Sequence, residues 1–271
     1  MSVPVWLAQE ATIAADDRGL NYGDGLFETL RIHAGQPVWW DAHWARLSRG
    51  AQVLGIATPT PETVLSVCAP QLAQLRDGVL KLLLTRGSGG RGYAPPEFAQ
   101  PQLIVSRHPL PAPFPASGLH LRWCTLRLGI QPMLAGLKHC NRLEHVLARA
   151  ECSDPAIHEG LLCDAEGAPT CATAANLFVL RDGDWLTPPI DRAGVAGICR
   201  QWLLAQGIGR ECRLTREDVE GADAIFLCNA VRGILPVARL DARRFEPHPE
   251  VRRIVRLLAR AEPAFAAMES A

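Results

Sequence analysis

Gly136-Leu137-Lys138-His139-Cys140-Asn141-Arg142-Leu143-Glu144-His145-Val146-Leu147-Ala148-Arg149-Ala150-Glu151 holds one of only two lysines among 28 basic residues, the other being Lys81. A chain that uses arginine at nearly every cationic position can meet its surface charge without lysine. A retained lysine therefore points to a task that guanidinium does not perform, and Schiff-base chemistry is one, because it needs an amine whose pKa can fall. Read by itself, the stretch also accommodates an ordinary surface lysine. Asn141 followed by Glu144 reads as a helix N-cap with its capping-box partner, and Leu143, Val146, Leu147 and Ala150 share one apolar helical face. A helix is thus expected to begin just past Lys138.

Around this stretch lie 271 residues, 48% hydrophobic and 21% charged, enough to bury a sizeable core in one large or two medium domains. Basic and acidic residues balance at 28 each, so no electrostatic footprint points to nucleic acid or to an anionic membrane. The arginines at 252, 253, 256 and 260 have helical spacing and read as a solvated face. Nine cysteines without a Cys-x-x-Cys pair indicate neither a disulfide framework nor a zinc site, and no metal is expected. The start of the chain lacks a basic segment followed by an apolar run, and no apolar stretch approaches the roughly 20 residues of a membrane span. A reduced, cytoplasmic protein is expected.

Toward the N-terminus, Asp17 to Arg31 (DRGLNYGDGLFETLR) carries three glycines in seven residues, which argues against a helix at its start, and then alternates as a strand does. A helix is expected over about 41–54, ended by Gly55, and another over 61–75. Val79 to Thr85 reads as a strand leading into Arg86-Gly87-Ser88-Gly89-Gly90-Arg91-Gly92-Tyr93. The glycines match a dinucleotide fingerprint formally, but Ala94-Pro95-Pro96 follows where a helix would have to open, so the reading is a mobile glycine loop. Four prolines between 109 and 115 form the clearest linker. The expected organisation is an N-terminal α/β domain over 1–107, a linker over 108–117 and a C-terminal domain over 118–271. In the latter, strands are expected at 119–126, 160–164, 175–180, 185–187 and 223–229, with helices past Lys138, from Val195 to about Gln206 and over 249–267.

Several separated motifs together resemble the fold-type IV pyridoxal-phosphate enzymes, the group of branched-chain and D-amino-acid aminotransferases and aminodeoxychorismate lyases. They are DRGLNYGDGLFET (17–29), HWARL (43–47), TRGSGGRGY (85–93), LKHCNRLE (137–144), ANLF (175–178), GVAGICR (194–200) and Cys228-Asn229-Ala230 before Pro236-Val237. LKHCNRLE and the glycine loop look most like the lyases, since the aminotransferases usually place Tyr where Arg142 stands. The resemblance implies a two-domain α/β (α+β) fold with a mixed, β-rich C-terminal domain and pyridoxal 5'-phosphate at the domain interface. It implies that Lys138 holds the cofactor as a Schiff base and acts as the catalytic base, and that Arg46 binds the phosphate. Gly197 and Ile198 at a helix N-terminus, and the Asn229-Ala230 turn, would add phosphate contacts. Asn176 would support the site's backbone, and Tyr22, Arg91, Tyr93 and Arg142 would meet substrate.

One position departs from the family pattern. Where the family carries a glutamate for the pyridine nitrogen, this chain has Cys171, and the spacing leaves no neighbouring acid along the chain to replace it. Three alternatives stand: an unprotonated nitrogen that the reaction tolerates, an ionised Cys171, or lost chemistry in a non-catalytic homologue. The implied activity is conversion of 4-amino-4-deoxychorismate to 4-aminobenzoate and pyruvate, a step of folate biosynthesis, with a D- or branched-chain aminotransferase as the alternative. A homodimer, and a transient contact with aminodeoxychorismate synthase, are the partners implied.

Overall fold

The computed structural model describes residues 3–270; positions 1, 2 and 271 of the expected domains lie outside it. The chain forms two compact units, Met1–Pro111 with Leu137–Asn141, and Ala112–Gly136 with Arg142–Ala271. The Lys138 segment, expected in the C-terminal domain, thus belongs to the first unit. Backbone pairing is the reason: the Phe27 N–H donates to the Lys138 carbonyl and the Cys140 N–H to the Gly25 carbonyl, each at 2.9 Å.

In chain order the first unit contains β1 (Val5–Leu7), α1 (Arg18–Tyr22), β2 (Gly25–His33), β3 (Gln36–Pro37), α2 (Trp40–Leu54), α3 (Pro61–Gln74), β4 (Asp77–Thr85) and β5 (Gln102–His108). Its five-stranded sheet runs β1-β5-β4-β2-β3, antiparallel except for the β1–β5 pair. Leu26, Leu30 and Ile32 alternate inward along β2, as a half-buried strand requires. α2 packs on this face closely enough that a Cβ on Gly50 would lie 2.9 Å from the Leu26 side chain. Gly55 ends α2 at φ 63°, a left-handed cap that glycine adopts without penalty. The glycine-rich start of the 17–31 motif does form a short helix, α1, because the Asp17 carboxylate caps it by accepting from the Leu20 N–H.

The second unit contains β6 (Leu119–Leu128), α4 (Leu143–Ala150), β7 (Glu159–Asp164), β8 (Pro169–Ala172), β9 (Asn176–Arg181), β10 (Asp184–Thr187), α5 (Ile198–Ala205), β11 (Arg210–Glu211), α6 (Arg216–Glu220), β12 (Ala224–Asn229), β13 (Gly233–Leu240), β14 (Arg243–Arg244) and α7 (Pro249–Ala261), with a 3₁₀ segment over Pro263–Ser270. A mixed sheet runs β11-β10-β9-β12-β13-β6-β7-β8, with β14 on β13. Leu121, Leu161, Leu177, Ile225 and Leu227 build its core. α4 differs from its reading. Asn141 does not cap it; its amide donates instead to the Gly23 carbonyl in the first unit, while Glu144 accepts from the Gly129 N–H within the second. The apolar stripe of α4 points outward, with Leu143 76%, Val146 61% and Leu147 59% exposed.

Candidate active site

In the first unit, the inward alternation of β2 buries Glu28 completely between Leu26 and Leu30. A carboxylate placed so must be paired, and α2 supplies both partners. Arg46 Nε donates to Glu28 Oε1 at 2.7 Å and Arg46 Nη2 to Oε2 at 2.5 Å, while His43 Nδ1 lies 2.6 Å from Oε2. The three side chains are 5% exposed or less. Burial alone would raise the Glu28 pKa, but the Arg46 charge and fork, helped by His43, hold it down to about 2. Burial lowers the His43 pKa against the pull of Glu28, with Arg46 and Lys138 adding to the lowering. His43 is therefore neutral, with Nδ1–H donating to Glu28, and its buried Nε2 is a lone-pair acceptor without a partner among the described residues.

Lys138 is half-buried beside this cluster, its Nζ 4.4 Å from the centroid of the Phe27 ring on the strand that carries Glu28. Lys81 stands on β4, its Nζ 5.5 Å from the same ring. The glycine loop, read as mobile, is pinned: the Arg18 guanidinium donates to the carbonyls of Gly92 and Tyr93, and the Gly92 N–H reaches the Tyr22 hydroxyl. The Tyr22 and Tyr93 rings meet edge to face at 5.5 Å. Arg91 and Tyr93 themselves are exposed, Tyr93 at 86%. Asp24 anchors the base of the loop between Arg18 and Arg86.

In the second unit three backbone segments converge. Asn176, buried at the start of β9, donates to the Val195 carbonyl, and a Cβ on Gly197 would lie 2.0 Å from its Oδ1. Asn229 donates to the Ala174 carbonyl and accepts from the Val231 and Arg232 N–H groups, closing the turn that begins at Ala230. Gly197 precedes α5 without a side-chain cap, which leaves the first-turn N–H groups of Ile198 and its successors for an anion.

Cys171 lies in β8, 4% exposed. Burial pushes its thiol up to about 12 despite the charge of Arg142, so at neutral pH it is a thiol and the ionised alternative fails. The register of β7 against β8 also brings an acid near this thiol. Glu159, which accepts from the Thr173 hydroxyl and the Gly160 N–H, lies within electrostatic reach of Cys171. Sequence reasoning passed over Glu28, His43 and Glu159. For Glu28 a signal was present: an acid at the centre of an inward-facing Leu-x-Glu-x-Leu alternation has to find a buried cation. For Glu159 there was none, since its proximity to Cys171 arises from strand register.

Within the first unit an amine stands over an aromatic face, a donor of the kind an aldehyde takes. Within the second, a helix N-terminus is bounded by a glycine whose Cβ would meet Asn176 Oδ1 at 2.0 Å, a donor of the kind a phosphate takes. Among the described residues no group of three or more His, Cys, Asp or Glu could hold a metal ion, and no helix is long and apolar enough to cross a membrane.

The chain belongs to the amino-transferase class IV family, whose model matches residues 25–240; this family of fold-type IV enzymes depends on pyridoxal phosphate. It is 35% identical to the aminodeoxychorismate lyase of Vibrio harveyi over 83% of this chain and 86% of that one. It is 30% identical to a putative branched-chain-amino-acid aminotransferase of Methanocaldococcus jannaschii over 87% and 85%. The crystal structure of 4-amino-4-deoxychorismate lyase from Pseudomonas aeruginosa superposes with a TM-score of 0.87 at 40% identity, covering 93% of this chain and 96% of that one.

Proposed function

We propose that this enzyme is a lyase that converts 4-amino-4-deoxychorismate to 4-aminobenzoate and pyruvate. The observation that carries the reading is the likeness to two lyases at 35% and 40% identity over more than four fifths of the chain, above the 30% shared with the archaeal aminotransferase. Arg142, standing in LKHCNRLE, agrees with it.

Lys138 is the residue that carries pyridoxal phosphate, and its Nζ moves the ring proton whose removal accompanies loss of pyruvate. When bound, the cofactor supplies an electron sink for that deprotonation. Arg46, oriented by Glu28, is the phosphate-binding residue of the first unit, and the Gly197 and Ile198 amides with the Asn229-Ala230 turn are the phosphate-binding groups of the second. Asn176 acts through the backbone it holds. Tyr22, Arg91, Tyr93 and Arg142 orient the substrate, and as a dicarboxylate it suits the two arginines. With Cys171 a neutral thiol where the family has a glutamate, the electron sink is weaker, and the lyase reaction tolerates this because forming an aromatic product supplies much of its driving force. We further propose a homodimer, supported by the outward apolar face of Leu143, Val146 and Leu147 on α4.

Product analysis tests the reading. Turnover of aminodeoxychorismate to 4-aminobenzoate and pyruvate in equal amounts, without a keto-acid acceptor, supports it. Turnover that requires a keto acid, with a D- or branched-chain amino acid as donor, replaces it by the aminotransferase.

A further inference from the structure

The second unit contains a cavity of about 310 Å³ that shares no residue with the candidate active site. Its size falls at the lower end of the roughly 300–1,000 Å³ typical of small-molecule sites. The floor is apolar, with Ile225 of β12, Val237 of β13, Phe245, and Val251 and Val255 of α7. Its mouth is cationic. Arg252 and Arg256, one helical turn apart on α7, both line it, and neither guanidinium has a hydrogen-bond or ion-pair partner among the described residues. Arg253 on the same helix shows the contrast: it does not line the cavity and is paired with Glu250 at 2.8 Å.

His248 adds a donor to the lining. Its Nδ1 accepts from the Glu250 N–H at 3.2 Å, capping α7, so in the neutral ring the proton resides on Nε2. Glu246 is the single acid of the lining, and two arginines less one glutamate leave a net charge of +1. An apolar floor beneath a cationic rim matches an anion with an apolar body. A fully polar anion would leave the floor unused, and a neutral apolar molecule would leave two guanidiniums without a counter-charge.

We propose that this cavity binds a small aromatic or aliphatic monocarboxylate, with the carboxylate between Arg252 and Arg256 and the apolar body against Val237, Phe245 and Val255. The site is separate from the Lys138 chemistry and stands whether or not that chemistry is a lyase reaction.

The test is an equilibrium titration of the full chain with benzoate, using acetate as a probe of the headgroup alone. Saturable benzoate binding is expected, with acetate weaker by about tenfold or more because it lacks the buried ring. Arg252→Glu with Arg256→Glu should weaken benzoate by about tenfold or more, whereas Arg253→Glu with Arg260→Glu, the same charge change on the same helix, should leave it within about twofold. Lys138→Ala should leave benzoate binding intact. The proposal is overturned if wild-type protein shows no saturable binding, if acetate binds as tightly as benzoate, or if the two double variants behave alike. Loss of binding in Lys138→Ala would place benzoate at the lysine and overturn it as well.

Discussion

Replacing Glu28 by Gln keeps the shape of the side chain and removes its charge from the buried cluster on β2 and α2. The magnitude follows from linkage. A carboxyl whose pKa falls from 4.5 to about 2 on folding contributes, at roughly 1.4 kcal/mol per pH unit, about 3 kcal/mol. Because the folded pKa is the depressed one, this stability is fully present above pH 4.5 and is lost as pH falls toward 2. Glu28→Gln should therefore lower the stability of the first unit by about 3 kcal/mol at pH 7, a size also expected for breaking a buried ion pair. The gap should narrow below pH 4.5 as the wild-type carboxyl protonates. Urea denaturation between pH 7 and pH 3 measures the gap, and hydrogen exchange of the β2 and α2 amides assigns it to this unit. A loss under about 1 kcal/mol at pH 7, or a gap that does not change with pH, would refute the reasoning that Glu28 is an ionised partner of Arg46 and His43.

Cys171 should resist thiol reagents in the folded protein at pH 8 while the half-buried Cys140 and Cys212 react; mass spectrometry of labelled peptides reads this, and prompt labelling of Cys171 would contradict its burial. Cys171→Glu should change lyase turnover by less than about tenfold, and a rise of a hundredfold or more would show that the step needs a strong electron sink after all. Gly197→Ala forces a Cβ to within 2.0 Å of Asn176 Oδ1, so Asn176 or the start of α5 must shift and pyridoxal phosphate affinity should fall by about tenfold or more in a fluorescence titration; unchanged affinity would remove the α5 N-terminus from the site.

What could be read ahead of the structure followed local rules. α2 and its glycine stop, β4, β9 and β10 were legible because periodicity and helix-stop chemistry act over a few residues. β8, β13 and α6 were not resolved as elements, being short or interrupted by Pro236 inside a buried strand. The Asn141–Glu144 capping box failed for a reason no local pattern contains: Gly23 and Gly129, distant in sequence, offered better partners. The apolar stripe of α4 was legible as a stripe but its outward direction was not, because periodicity says which residues share a face and nothing about where the face looks. At the site, Lys138 stood out through residue economy alone, whereas the Glu28–Arg46–His43 cluster needed the packing of α2 on β2, and Glu159 needed the β7–β8 register.

The chain holds only Lys81 and Lys138, so attachment of the cofactor has two lysine outcomes. Protein incubated with pyridoxal phosphate, reduced with borohydride, digested and analysed by mass spectrometry should carry the cofactor on the Lys138 peptide, with a visible absorption band before reduction that is absent from Lys138→Ala. Label on Lys81 instead, or no specific label on either lysine, would contradict the account at its centre.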